Sequence, residues 1–173
     1  SGGINLKSGS SFAGNSGSIQ VSAGASVSGS GGDINILGSS SATSTGGGVG
    51  IRSGSSMAGQ SGSIQIATSE SEIASTGSLS AHTGDSLASD SGAIDISSGD
   101  ATNSGGLSVS SGNSQMQSGS IDIMGGSSSS STGGSIFARS GESFSSTSGS
   151  INIESGTAAQ QSGSVTVGTG KAV

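Results

Sequence analysis

The chain has 173 residues and a composition far from that of an average globular domain: 35 glycines, only 8% charged residues, and a net charge of −6. Without cysteine it has neither a disulfide framework nor a thiolate metal site. The weak acidity argues against nucleic acid as a partner, because binding it requires a basic surface. The apolar runs are too short for a membrane span.

Isoleucine and valine recur at a fixed spacing, which favours a folded repeat over the disorder that such a composition often indicates. The chain opens within the repeated motif, at Ser1-Gly2-Gly3-Ile4, and shows no signal peptide. We therefore expect a segment of a longer protein or filament, with residues 1–173 forming a single repeat array. The first apolar residues of the twelve copies, here called anchors, are Ile4, Ile19, Ile34, Val49, Ile64, Leu79, Ile94, Leu107, Ile121, Ile136, Ile151 and Val165.

Most anchors follow the preceding one by fifteen positions, here called the full spacing, and three of the later intervals are one or two positions shorter. Each copy has glycine two residues before the anchor and an apolar residue two after it. Glycine stands five residues after the anchor in ten copies, with Ser39 and Ser69 as exceptions, and serine or alanine stands seven after it in all. A looser apolar position lies eight after the anchor, occupied by Phe12, Val27, Ala42, Met57, Leu87, Phe144 and Val173.

An apolar-polar-apolar triplet has the period of a β-strand, and so short a repeat leaves no room for a helix. The pattern predicts an all-β fold, a parallel β-solenoid (β-helix) of about twelve coils of 13–15 residues, with a thin two-sided cross-section and Gly/Ser corners. The structural repeat positions that we expect to define the coils include Gly17, Ile19, Val21, Gly32, Ile34, Ile36, Gly62, Ile64, Ile66, Gly92, Ile94, Ile96, Gly119, Ile121, Ile123, Gly149, Ile151 and Ile153.

The glycines and small residues have predicted roles in such a coil. Glycine five after the anchor suits a corner with positive φ. Glycine two before the anchor indicates either a second special φ or a point where opposing walls nearly touch. Serine seven after the anchor is expected to face inward and to hydrogen-bond to backbone or to the serine of the next coil.

The copy between Ile94 and Leu107 is two residues short, and we place that loss in the turn after Ala101.

A column of acidic residues six after the anchor is the one candidate metal site. In register, Glu70, Asp85 and Asp100 would lie about 5 Å apart and could share a cation such as Ca²⁺. The alternative is a set of turn acids that point separately into water, and no loop supplies further ligands.

We find no catalytic or cofactor-binding group. His82 is the only histidine, and the four basic residues are scattered, so the clustered acids and bases of polysaccharide-cleaving β-helices are missing. The run Gly168-Thr169-Gly170-Lys171 lacks the hydroxyl residue and the helix of a phosphate loop. The sequence therefore predicts a protein that is not an enzyme.

Copies such as 61–69 and 148–156 carry the motif S-G-S-I-x-I, and they resemble Ser/Gly-rich short-coil β-solenoid arrays of large secreted or cell-surface proteins. The resemblance implies an extracellular or cell-surface structural and adhesive protein, forming a rigid rod or fibre segment. Its expected partners are other copies, through end-to-end or lateral assembly, and polysaccharide or another extracellular surface. The alternative is an ice-binding solenoid with a flat Ser/Thr/Asn face, although Phe137 interrupts the comparable row.

Overall fold

The computed structural model describes residues 2–171, which contain neither a helix nor a strand. Ser1, Ala172 and Val173 lie outside the described residues, so the last copy's predicted small and apolar loop positions have no structural account. The chain divides into two units, Ser1–Gly92 and Ala93–Val173. Each unit is a series of loops joined by linking segments that carry the apolar triplets.

The prediction of an all-β parallel solenoid (β-helix) is wrong. No described residue is buried, and only Ser53, Thr83 and Ser140 are even half-buried. The accessible surface is 17520 Å², whereas a compact monomer of 15.9 kDa would expose roughly 7,400 Å². The physical reason is that two apolar side chains in each short coil bury too little surface to offset the conformational entropy of ordering it.

The residues predicted to form strands and coil walls lie instead on exposed, irregular chain. The predicted inward-facing apolar residues keep about half or more of their surface in contact with solvent. The repeat positions that lie on this exposed chain are Gly17, Ile19, Val21, Gly32, Ile34, Ile36, Gly62, Ile64, Ile66, Gly92, Ile94, Ile96, Gly119, Ile121, Ile123, Gly149, Ile151 and Ile153.

The repeat itself is visible in the backbone as a series of sharp bends. In the first unit the bends are three residues long and recur at the full spacing, at 12–14, 27–29, 42–44, 57–59, 72–74 and 87–89. In the second unit they lie at 102–103, 115–116, 129–131, 144–146 and 159–160. The three two-residue bends fall in the copies that are shorter than the full spacing, so the missing residues shorten the turn.

Serine seven residues after the anchor does not face inward as predicted. It is exposed, and in most copies its hydroxyl accepts a hydrogen bond from the backbone N–H two or three residues later. In the copies with the full spacing, the distances from the N–H three residues later run from 2.9 Å for Ser26 and Ser56 to 3.2 Å for Ser71 and Ser86. Serine satisfies a local backbone donor in this way at many turns. It therefore stabilises the bend of its own loop and not a row of serines stacked from coil to coil.

The glycines also differ from their predicted role as positive-φ corners. Among residues 2–171 the only positive-φ residue is Gly14, with φ +122°, and it lies ten residues after its anchor. Of the two interpretations of the glycine before the anchor, the structure supports a close approach of two chain segments.

Candidate functional site

The repeated unit of the structure is a loop whose two ends meet. In six copies the glycine two before an anchor donates its backbone N–H to the carbonyl oxygen of the residue five after the preceding anchor. These loop-closing hydrogen bonds join Gly17 to Gly9 (3.4 Å), Gly32 to Gly24 (3.2 Å), Gly47 to Ser39 (2.7 Å), Gly62 to Gly54 (2.8 Å), Gly134 to Gly126 (2.8 Å) and Gly149 to Gly141 (3.0 Å).

The residue four after the anchor, here called the neck residue, packs against the closing glycine. Where it is glycine, as at Gly38 and Gly125, the two backbones come closest, and a Cβ there would collide with the opposing carbonyl oxygen. Where it is serine or alanine, the neck Cβ lies near the place that a Cβ on the closing glycine would take, 3.1 Å away for Ala23 and Gly32. In the closed loops the glycine before the anchor therefore stands at a close approach of two chain segments, whereas at Gly105 a Cβ would meet nothing within 4 Å.

Threonine at the neck coincides with an open loop. Thr68 and Thr83 precede the loops 69–77 and 84–92, where Gly77 and Gly92 make no loop-closing hydrogen bond. Their Cγ2 methyl groups lie 3.8 and 3.6 Å from the Cβ position of those two glycines. We attribute the open loops to this methyl group, because the neck residues of the closed loops lack it and because it lies in van der Waals contact with the Cβ position of the glycine opposite.

Loop length is a second requirement for closure. The loops 99–105, 112–119 and 156–163 are one or two residues shorter than the others and carry no loop-closing hydrogen bond. Their neck residues, Ser98, Ser111 and Ser155, are as small as those of the closed loops. A small neck residue is therefore not sufficient for closure.

The neck position was missed by the sequence interpretation, although its signal is present in the sequence. It is glycine, alanine, serine or threonine in every copy. The twelve neck residues are Ser8, Ala23, Gly38, Ser53, Thr68, Thr83, Ser98, Ser111, Gly125, Ser140, Ser155 and Thr169.

Each linking segment presents an apolar pair, formed by the anchor and the residue two after it. Ile19 is 48% exposed and Val21 is 69% exposed, and the later pairs of two large side chains follow the same order. Ile4, with no preceding loop among the described residues, is 100% exposed, and Val167, with no complete loop after it among them, is 93% exposed. A loop on each side therefore partly covers a pair, and much of its apolar surface stays available.

The candidate cation column is not assembled as a site. Within residues 2–171 no three His, Cys, Asp or Glu side chains are grouped so that they could hold a metal ion. The structure therefore brings no such group together from Glu70, Asp85 and Asp100.

His82 has one side-chain partner. Its Nδ1 lies 3.3 Å from the hydroxyl oxygen of Ser80, and both residues are exposed. Nucleophilic catalysis by such a pair needs a third group that orients the histidine and a site that binds a substrate. Neither a pocket nor a third partner for this pair occurs in the described part of the chain.

The apolar pair is thus the surface feature that recurs in every copy, and in several copies an exposed apolar residue at the bend, such as Phe12 or Leu87, accompanies it. None of residues 2–171 belongs to a helix long and apolar enough to cross a bilayer. Comparison of the chain with protein-family models, with curated proteins and with solved structures found no match.

Proposed function

We propose that this chain is a structural and adhesive repeat segment that works outside the cell or at its surface. One observation carries the proposal: nearly the same exposed apolar pair recurs twelve times along the chain, in most copies at the full spacing. A catalytic site is unique within its chain, whereas a surface that holds by many weak contacts is built from repeated identical elements.

Repetition converts weak contacts into durable attachment. Complete burial of one such side chain contributes about 1.5–3 kcal/mol, and each large side chain of a pair is still close to half exposed or more. A single pair would therefore hold a partner only briefly. Once one pair is bound, the next is held close to its own contact, so the contacts reinforce one another.

The loops give this arrangement its regularity. Where a loop is closed, its two ends lie within hydrogen-bonding distance of each other. The end of one linking segment and the start of the next are therefore held at a fixed distance. Serine at the bend satisfies a backbone N–H within the same loop. The Ser/Gly-rich loops also separate the apolar pairs from one another, although several loops carry a single exposed apolar residue at the bend, such as Phe12 or Met57.

The remaining parts of the proposal concern location, partners and chemistry. We place the chain in an extracellular or cell-surface structure, on the strength of its resemblance to Ser/Gly-rich surface repeats. The partners are other copies and polysaccharide or other extracellular surfaces, without nucleic acid, and the role is not catalytic. Ice binding required a flat sheet face, and the described residues form no sheet, so no observation favours that alternative.

Adsorption tests the proposal directly. Binding of the full chain to a methyl-terminated surface, measured with a quartz crystal microbalance, should fall by about tenfold when Ile34, Ile36, Ile64 and Ile66 are replaced by serine, because two pairs are lost. The matched control replaces Glu70, Asp85 and Asp100 by their amides and should adsorb like the unaltered chain. Equal adsorption of all three proteins would contradict an adhesive role for the pairs.

A further inference from the structure

We propose that the partner of the first unit's apolar pairs is a second copy of this chain, bound in register through the six pairs between Ile4 and Ala81. The inference rests on the proposed function, because it uses the same apolar pairs, and it names which partner they take. Three observations lead to it: the uniform spacing of these pairs, their exposed area, and the distribution of charge around them.

Spacing is the first observation. The six anchors from Ile4 to Leu79 all follow one another at the full spacing, whereas the intervals from Ile94 onward are irregular. A partner can engage several pairs at once only if its own contacts repeat at the same interval. A second copy of the same segment meets this condition at every pair, and each contact made raises the effective concentration for the next.

Exposed area is the second observation. A stable protein interface takes about 800 Å² from each partner, which is about a twentieth of the 17520 Å² that this chain exposes. Within the first unit the large side chains of the apolar pairs are all close to half exposed or more. Association can therefore cover apolar surface at each of these pairs without unfolding the loops.

Charge is the third observation, and it separates the two units. The residue inside each triplet is uncharged throughout the first unit, whose nearest charges, Lys7, Asp33 and Arg52, lie beside the triplets and not within them. In the second unit Asp95 and Asp122 occupy this position. In-register association would set each of these carboxylates against its own copy, and like charges directly opposite each other are destabilising. The first unit therefore forms the contact.

The first experiment compares two double variants of the full chain by sedimentation velocity across a concentration series. Ile34→Ser with Ile36→Ser removes one apolar pair and should raise the dimer dissociation constant about tenfold or more. The matched control, Leu37→Ser with Met57→Ser, removes two apolar residues that are 83% and 106% exposed and lie outside the pairs. It should leave the constant within about twofold of the original.

If the chains associated through any exposed apolar residue, the control variant would raise the dissociation constant more than the pair variant. The reason is that the control residues expose more of their surface than Ile34 and Ile36 do. An equal or larger effect of the control pair would overturn the proposal. A chain that stays monomeric at every concentration would overturn it as well.

The second experiment tests the register. Deleting Ser40 and Thr45 shortens the interval between Ile34 and Val49 by two residues and leaves Ser41 and Ser44, which hydrogen-bond within this loop, in place. Two shortened chains should still associate with each other. A shortened chain mixed with the original should associate about tenfold more weakly, because only half of the six pairs can meet at once.

Equal affinity of the mixed and matched pairs, measured by fluorescence cross-correlation, would show that spacing plays no part and would overturn the proposal. Failure of the dimer proposal is distinguishable from failure of the proposed adhesive function. A monomeric chain that still adsorbs through its apolar pairs retains the proposed function with a different partner, whereas a chain without pair-dependent adsorption loses both.

Discussion

The two units of this chain carry the same repeat, yet they differ in how reliably their loops close. In Ser1–Gly92 every copy has the full spacing, four of six loops close, and the two open loops both follow a neck threonine. In Ala93–Val173, as far as Lys171, where the described residues end, only the two loops in copies with the full spacing close, and the three short loops remain open despite serine at the neck.

The comparison shows that closure has two independent requirements, a loop of the right length and a neck residue without a branched side chain. The lengths of the hydrogen bonds agree with this: 2.7 and 2.8 Å with glycine at the neck, and 2.8 to 3.4 Å with serine or alanine. Since a single exposed hydrogen bond contributes only about 0.5–1.5 kcal/mol, small steric changes should shift the loops between open and closed.

The largest effect should come from a new side chain in the closest neck. Gly38→Thr places a Cβ against the carbonyl oxygen of Gly47 and gives this neck the branched side chain that precedes both open full-length loops. The hydrogen bond from Gly47 to Ser39 should be lost completely, as read from its scalar coupling across the hydrogen bond by NMR. Gly48→Thr is the control, because a Cβ at Gly48 meets nothing within 4 Å. Retention of the coupling in Gly38→Thr would be inconsistent with the neck contact.

A smaller effect should follow from restoring the missing length. Inserting Ser-Gly between Ala101 and Thr102 restores the full spacing, so we expect the N–H of Gly105 to donate to the carbonyl of Gly99, as in the regular copies. The temperature coefficient of the Gly105 amide should decrease in magnitude. The same insertion after Ser56 lengthens a closed loop and should weaken the hydrogen bond from Gly62 to Gly54. If the insertion leaves Gly105 unchanged, length is not what keeps this loop open.

The smallest effect should come from removing one methyl group. Thr83→Ser leaves the hydroxyl and deletes the Cγ2 group that lies 3.6 Å from the Cβ position of Gly92. The loop 84–92 should then close in a fraction of molecules, with a free-energy change of about 1 kcal/mol or less. Thr83→Val keeps the branch and should leave the loop open. Closure in both variants, or in neither, would exclude the methyl group as the cause.

Sequence reasoning predicted the repeat well and its packing wrongly. The anchors and the small residue seven after each anchor mark real periodic features, and the two-residue loss after Ala101 falls at the shortened bend 102–103. The prediction of strands was wrong because alternation in a triplet such as Ile64–Ile66 indicates which residues could share a face. It does not indicate whether another segment of the chain covers that face. Burial depends on contacts far apart in sequence, which three-residue patterns do not specify.

The candidate site was predicted in part. The apolar pairs were identified as the recurrent feature of each copy, but their exposure was not expected, because apolar residues at fixed positions were assigned to a core. The neck residues were visible as an invariably small position, such as Ala23 or Ser140. Their role required knowing which segments meet, and only the loop-closing hydrogen bonds show that.

Residue-resolved amide exchange in dilute solution tests the central claim most directly. If the apolar pairs lie on unpaired chain between the loops, the amides of Ile36 and Ile66 should exchange at nearly the rate of a free peptide. The closing amides of Gly47, Gly62 and Gly134 should show a modest protection of about tenfold or less, set by one exposed hydrogen bond each. Protection above about a hundredfold throughout the triplets would mean that they pair in a sheet, and would contradict the account.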